Sequence, residues 1–196
     1  MTRACKPPGA QSPEPKALPL VDIVIKLGGS LLAHPAHLEA VLAIVGDAAR
    51  HTRLLIVPGG GPFADTVRQV DREFTLSDDA AHWMAVLAMD QYAHLITSRL
   101  MGSALVVDAA EVGAAIKAVL VPVLAPSRWL RDADPLPHSW DVTSDSIAAW
   151  VAGVVGAGRV VLVKPPRFRQ SPRTGATGFG AASPGQTDEV DAYFHQ

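Results

Sequence analysis

Apolar residues recur along this chain in two alternating rhythms, and the alternation predicts an architecture. Short, largely apolar runs occur at Val21–Leu27, Arg53–Val57, Ala104–Val107, Val119–Leu124 and Arg159–Lys164. Runs of this length, rich in Val, Ile and Leu, read as strands buried on both faces. Between them the apolar spacing changes to three and four. Leu38, Val41, Leu42 and Val45 follow Pro35, which suits a first helical turn, and Phe63, Val67 and Val70 follow Pro62 in the same way. Ser77-Asp78-Asp79 is a cap followed by first-turn acids, and its helix runs to about Leu100. The apolar positions of that helix, from Trp83 to Ile96, cover more than one stripe, which predicts burial on two sides. Asp108 and Glu111 resemble a capping box for a short helix, and Thr143-Ser144-Asp145 starts another through Ile147, Trp150 and Val151. Strands alternating with helices imply an α/β chain: a three-layer αβα sandwich around a mostly parallel central sheet. Ligands then belong at the carboxyl ends of the strands.

The remaining segments have a different composition. Residues 1–19 carry five prolines and read as a disordered tail ahead of a single domain over residues 20–196. Residues 125–140 read as a Pro- and Asp-rich connection holding Trp129 and Trp140. Residues 165–187 read as a mobile loop or lid, with one short helix at Thr187–Phe194. The net charge of −2 and the lack of a basic stripe argue against a nucleic-acid partner. No apolar run approaches the roughly 18 residues that span a bilayer, so no membrane partner is expected. Cys5 is the lone cysteine, which excludes an intrachain disulfide. With no apolar signal-peptide core, a cytoplasmic location is the expectation. The two-sided helix predicts a homo-oligomer with its exposed stripe as the interface.

Two glycine-rich turns follow the first two strands. Lys26-Leu27-Gly28-Gly29-Ser30 ends the first, and Pro58-Gly59-Gly60-Gly61-Pro62 ends the second. Glycines before a helix let backbone amides approach an anion with no Cβ in the way. The amides of Gly28, Gly29 and Ser30 can wrap nucleotide phosphates while Lys26 neutralises charge on a transferring phosphoryl group. Gly59, Gly60 and Gly61 can approach a second substrate. Each turn also has a plainer reading: a strand–helix turn with a snorkelling lysine, and a tight helix–sheet crossing. Thr143-Ser144-Asp145-Ser146 is either a simple N-cap or a polar cluster in which Asp145 stands between Lys26 and Lys164 and holds both ammonium groups. The seven histidines show no metal-ligand spacing. Asp78, Asp79 and His82 could make a site, with capping and surface roles as the alternative.

Together these pieces resemble the amino-acid kinase superfamily, which includes aspartate, acetylglutamate, uridylate and isopentenyl phosphate kinases. Within it the chain looks most like the small phosphate kinases of methanofuran biosynthesis in methanogens and methylotrophic bacteria. That likeness lies in Pro58–Asp65, in Ala81–Asp90 and in the string His138-Ser139-Trp140-Asp141-Val142-Thr143-Ser144-Asp145-Ser146. The resemblance implies transfer of the ATP γ-phosphoryl group to the phosphate of an aminomethyl-furan-methyl phosphate, a small phosphorylated substrate. It implies Lys26, Asp145 and Lys164 as catalytic residues, with Lys26, Gly28, Gly29, Ser30, Ser144 and Lys164 around the nucleotide. Gly59, Gly60, Gly61 and Asp65 would hold the acceptor, and Mg²⁺ would arrive with ATP.

The chain departs from the family pattern in three places. Isopentenyl phosphate kinases carry a histidine four residues after the third glycine, where this chain has Asp65, free to face a substrate ammonium. The family's Thr-Asp-x-Asp-Gly segment is replaced by Val163-Lys164-Pro165-Pro166. No lysine follows Lys164, which leaves Lys164, Arg167, Arg169 or Arg173 for the role of a late lysine. Three readings follow: a phosphate kinase of methanofuran-type synthesis, a kinase of a carboxylate or other phosphate acceptor, and a non-catalytic nucleotide- or anion-binding protein.

Overall fold

The computed structural model describes residues 20–165. The expected tail 1–19, the loop 165–187 beyond Pro165, the helix Thr187–Phe194 and the three late arginines lie outside the described residues. Five strands alternate with helices: β1 Ile23–Leu27, α1 Pro35–Ala48, β2 Leu54–Pro58, α2 Gly61–Phe74, α3 Asp78–Arg99, β3 Ser103–Val106, α4 Ala109–Lys117, β4 Val121–Leu124, α5 Ser127–Ala133, α6 Ser144–Val155 and β5 Arg159–Val163. A 3-10 turn, Gly29–Ala33, links β1 to α1. The strands lie in the order β3-β4-β2-β1-β5, and every pairing is parallel. This is the expected αβα sandwich. Among the described residues no helix is long and apolar enough to cross a membrane.

Strand pleating sorts side chains onto two cores. Val24, Leu55, Val57 and Val106 face one layer, made by α4, α6, the Trp129–Leu130 pair of α5 and the first half of α3. Ile25, Leu27, Leu54, Ile56 and Val123 face the other, against α1 and the second half of α3. The α3 helix therefore serves both cores, with Val86 and Met89 in one and Tyr92, Ala93 and Ile96 in the other. This explains its two-sided apolar pattern. Its exposed positions include Leu87, Gln91, His94 and Ser98, with Met84 and Leu95 half-buried beside them.

Two local readings are corrected. The 125–140 connection contains α5, whose start is fixed by the Asp90 carboxylate of α3 accepting from the Ser127 amide at 3.1 Å. Its Pro and Asp content hid a helix that the buried Trp129 and Leu130 hold in place. The fourth strand begins at Val121, not Val119. Val119 instead closes α4 with φ of 59°, while its amide bonds to Ile116 and that of Leu120 to Ala115. This is a Schellman end with a β-branched residue in the position that favours glycine. α6 ends the same way with Gly156 at φ of 67°. Val119 is 88% exposed, so its side chain contributes little burial against the backbone cost. Val119→Gly should therefore stabilise the fold by about 1 kcal/mol, read as a higher urea midpoint at unchanged slope. An equal or lower midpoint would refute strain at this position.

Candidate active site

Pleating decides which side chains meet at the carboxyl end of the sheet. Lys26 pairs with Leu162 across β1 and β5, so Lys164, two residues further, points to the same face one pleat later. That face is covered by α6, whose first turn carries Asp145. Lys26 Nζ lies 2.7 Å from Asp145 Oδ1, and Lys164 Nζ lies 3.1 Å from Asp145 Oδ2. The Oδ1 contact is an ion pair without the alignment of a directed hydrogen bond. Lys26 and Asp145 are almost fully buried, while the Lys164 side chain is 29% exposed. Two ammonium groups share one carboxylate, so the cluster carries an uncompensated positive charge beside the glycine turns. Thr143 fixes the start of α6, its hydroxyl accepting from the Asp145 amide at 3.1 Å. The N-cap and cluster readings of this segment therefore hold together.

The glycine turns pack on each other. A Cβ on Gly29 would lie 2.1 Å from the Gly61 nitrogen, and one on Gly59 would lie 2.8 Å from the Gly29 nitrogen. Gly61 also needs its φ of 54°. The triplet is thus required in part by the crossing of two main chains. Two of the expected anion donors are already engaged: Gly28 donates to the Val163 carbonyl and Gly59 to that of Leu27, both at 2.8 Å. The helix-start amides of Gly29, exposed Ser30, Gly60 and Gly61 have no partner inside their own helices.

A cavity of about 150 Å³ adjoins this crossing. That is roughly ten times what one water requires. Gly29, Gly60 and Gly61 form one side, with Thr143 and Ser144 of the α6 start beside them. Asp65 does not line it: this carboxylate is exposed and bonded to Arg68 at 2.8 Å, a consequence of their spacing on the outer face of α2. Arg68, not singled out in the sequence, is there instead, together with Trp140 and with Asp78 and His82 of the group considered as a possible site. Arg68 reaches the cavity wall and lies over the Trp140 ring, 4.9 Å from its centroid, while Trp140 donates to Asp71 at 2.8 Å. His82 of α3 also lines the cavity. The unusual string from His138 to Ser146 was the sequence signal for this wall.

The sequence matches the amino acid kinase family over residues 23–165, and the chain belongs to that family. It is similar to (5-(aminomethyl)furan-3-yl)methyl phosphate kinase of Methanocaldococcus jannaschii, 27% identical over 140 residues that make 71% of this chain and 63% of that protein. Its fold is similar to uridylate kinase from Archaeoglobus fulgidus, with a TM-score of 0.58, 21% identity and coverage of 73% of this chain and 62% of that one. It is also similar to UMP kinase from Ureaplasma parvum, with a TM-score of 0.59, 16% identity and coverage of 74% and 69%. The chain thus spans a little under two thirds of the curated relative and of the Archaeoglobus structure.

Removing one member of a buried ion cluster leaves an uncompensated charge. Asp145→Asn should cost about 3–5 kcal/mol of unfolding free energy, because Lys26 is left buried and unpaired. Lys164→Ala, at the more exposed partner, should cost less. Urea unfolding of both variants tests this order, and equal midpoints for Asp145→Asn and the parent would exclude a stabilising cluster.

Proposed function

We propose that this chain is an ATP-dependent small-molecule kinase that phosphorylates a phosphate monoester. The observation that carries the reading is the Lys26–Asp145–Lys164 cluster beside two interlocked glycine turns. Its surplus positive charge suits the terminal phosphates of a nucleotide. Gly29 and Ser30 amides and the Ser144 hydroxyl would complete that seat. Gly60 and Gly61 would hold the acceptor phosphate in the cavity. Mg²⁺ enters with ATP in this reading, since it keeps much of its water and binds largely through phosphate oxygens. Among the described residues no group of three or more His, Cys, Asp or Glu gathers as a cation site.

The chemistry asks little of a base. An anionic oxygen of the acceptor phosphate forms a bond to the γ-phosphorus as the bridging β–γ P–O bond breaks, and ADP departs with the electron pair. No proton has to be removed. Positioning and charge neutralisation dominate, and Lys26 supplies the nearest buried cation. The family membership and the resemblance to an aminomethyl-furan phosphate kinase favour that compound as acceptor and its diphosphate as product, a step of methanofuran-type cofactor synthesis. A cytoplasmic location fits a kinase that draws on the ATP pool.

³¹P NMR with Mg·ATP and (5-(aminomethyl)furan-3-yl)methyl phosphate should show diphosphate resonances growing in step with ADP. Lys26→Ala should slow that growth about 10²–10³-fold while circular dichroism stays unchanged. No diphosphate from this or other phosphate esters, with ATP binding retained in calorimetry, would overturn the phosphate-kinase reading.

A further inference from the structure

The two helices that wall the cavity carry different chemistry. α2 brings the Gly60–Gly61 backbone and Arg68, which suit an anion. α3 brings Asp78 and His82, one helical turn apart. Asp78 is exposed and His82 half-buried, and among the described residues no hydrogen bond or ion pair reaches the Asp78 carboxylate or the His82 ring nitrogens. The His82 ring is nonetheless fixed. It stacks on His138 with centroids 4.1 Å apart and meets the edge of Trp83 at 4.9 Å. His138 in turn is pinned by Asp79 at 2.8 Å and Asp134 at 2.9 Å, which occupy both of its ring nitrogens. Burial, and then the charge of the stacked His138 ring, hold His82 below the ordinary histidine range against the opposing pull of Asp134 and Asp79. At neutral pH it presents an uncharged imidazole with a lone pair to offer.

We propose that Asp78 and His82 form the seat that recognises the ammonium end of the acceptor and so set its preference for an amine over an alcohol. The inference rests on the phosphate-acceptor reading above and adds what recognises the other end of the molecule. A carboxylate and a neutral imidazole together accept two of the three ammonium hydrogens. Met89, Ile147 and Trp140 supply an apolar and aromatic wall for a short body between the two charged ends. The seat stands where Asp65, turned outward, cannot serve. An alcohol in place of the amine would forfeit the ion pair with Asp78 and one charge-assisted hydrogen bond.

The test compares (5-(aminomethyl)furan-3-yl)methyl phosphate with its hydroxymethyl analogue. The parent should prefer the amine by about 10–100-fold in kcat/KM, the range expected of charge-assisted hydrogen bonds. Asp78→Asn, and His82→Phe, which keeps the stack and removes the nitrogens, should each narrow that ratio toward one. A parent ratio near one, or variants in which both acceptors fall alike, overturns the seat. If neither compound is phosphorylated, the choice of the furan phosphate as acceptor fails on its own. Calorimetric binding of the two compounds then decides the seat separately, with an amine preference lost in both variants supporting it and equal binding refuting it.

Discussion

The Asp145 carboxylate ties together three elements that come from distant parts of the chain. It lies at the first turn of α6, and its two oxygens reach lysines at the ends of β1 and β5. Removing three charged groups from water is unfavourable unless each finds a partner at close range. The sheet supplies that closeness through register. Lys26 and Lys164 stand on one face of adjacent parallel strands, and Ile147, Ala148 and Val151 of α6 pack over the same face. Helix placement, strand pairing and charge placement therefore depend on one another. The helix N-terminus adds a favourable field for the carboxylate.

Much of this was legible in the chain. A lysine inside an apolar strand and another at the end of a strand had to reach a partner, and the single acid at the start of a capped helix was the natural one. The short apolar runs, and the three- and four-residue spacing between them, placed every strand within two residues and gave the parallel sheet. What stayed hidden were features that depend on the third dimension. The helix Ser127–Ala133 is set by a carboxylate 37 positions earlier in the chain, on α3. Val119 reads as strand because it is β-branched and precedes Val121, yet a Schellman end claimed it. Asp65 and Arg68 illustrate the same gap, since only the rotation of α2 shows which of the two reaches the cavity.

The glycines show how a motif can satisfy two demands. Their lack of Cβ was expected to serve a ligand, and the structure shows it serving the fold as well, because Gly29 and Gly61 touch main chain to main chain. The amides of Gly28 and Gly59 close bonds to neighbouring strands, which stiffens the turns and leaves the next amides along outside those bonds. Division of labour within a turn of three glycines is invisible to spacing alone.

The contact of Gly29 with Gly61 has a mechanical consequence. In a phosphoryl-transfer reading, one turn cradles the donor and the other the acceptor, and no side chain lies between them to rotate or compress. The gap that the phosphoryl group must cross is then a dimension of the backbone, as fixed as the thickness of two peptide groups. Side chains around the cavity can change which acceptor enters, but they have no lever on that distance. In that reading, diversification of the acceptor pocket would be mechanically insulated from the reaction coordinate.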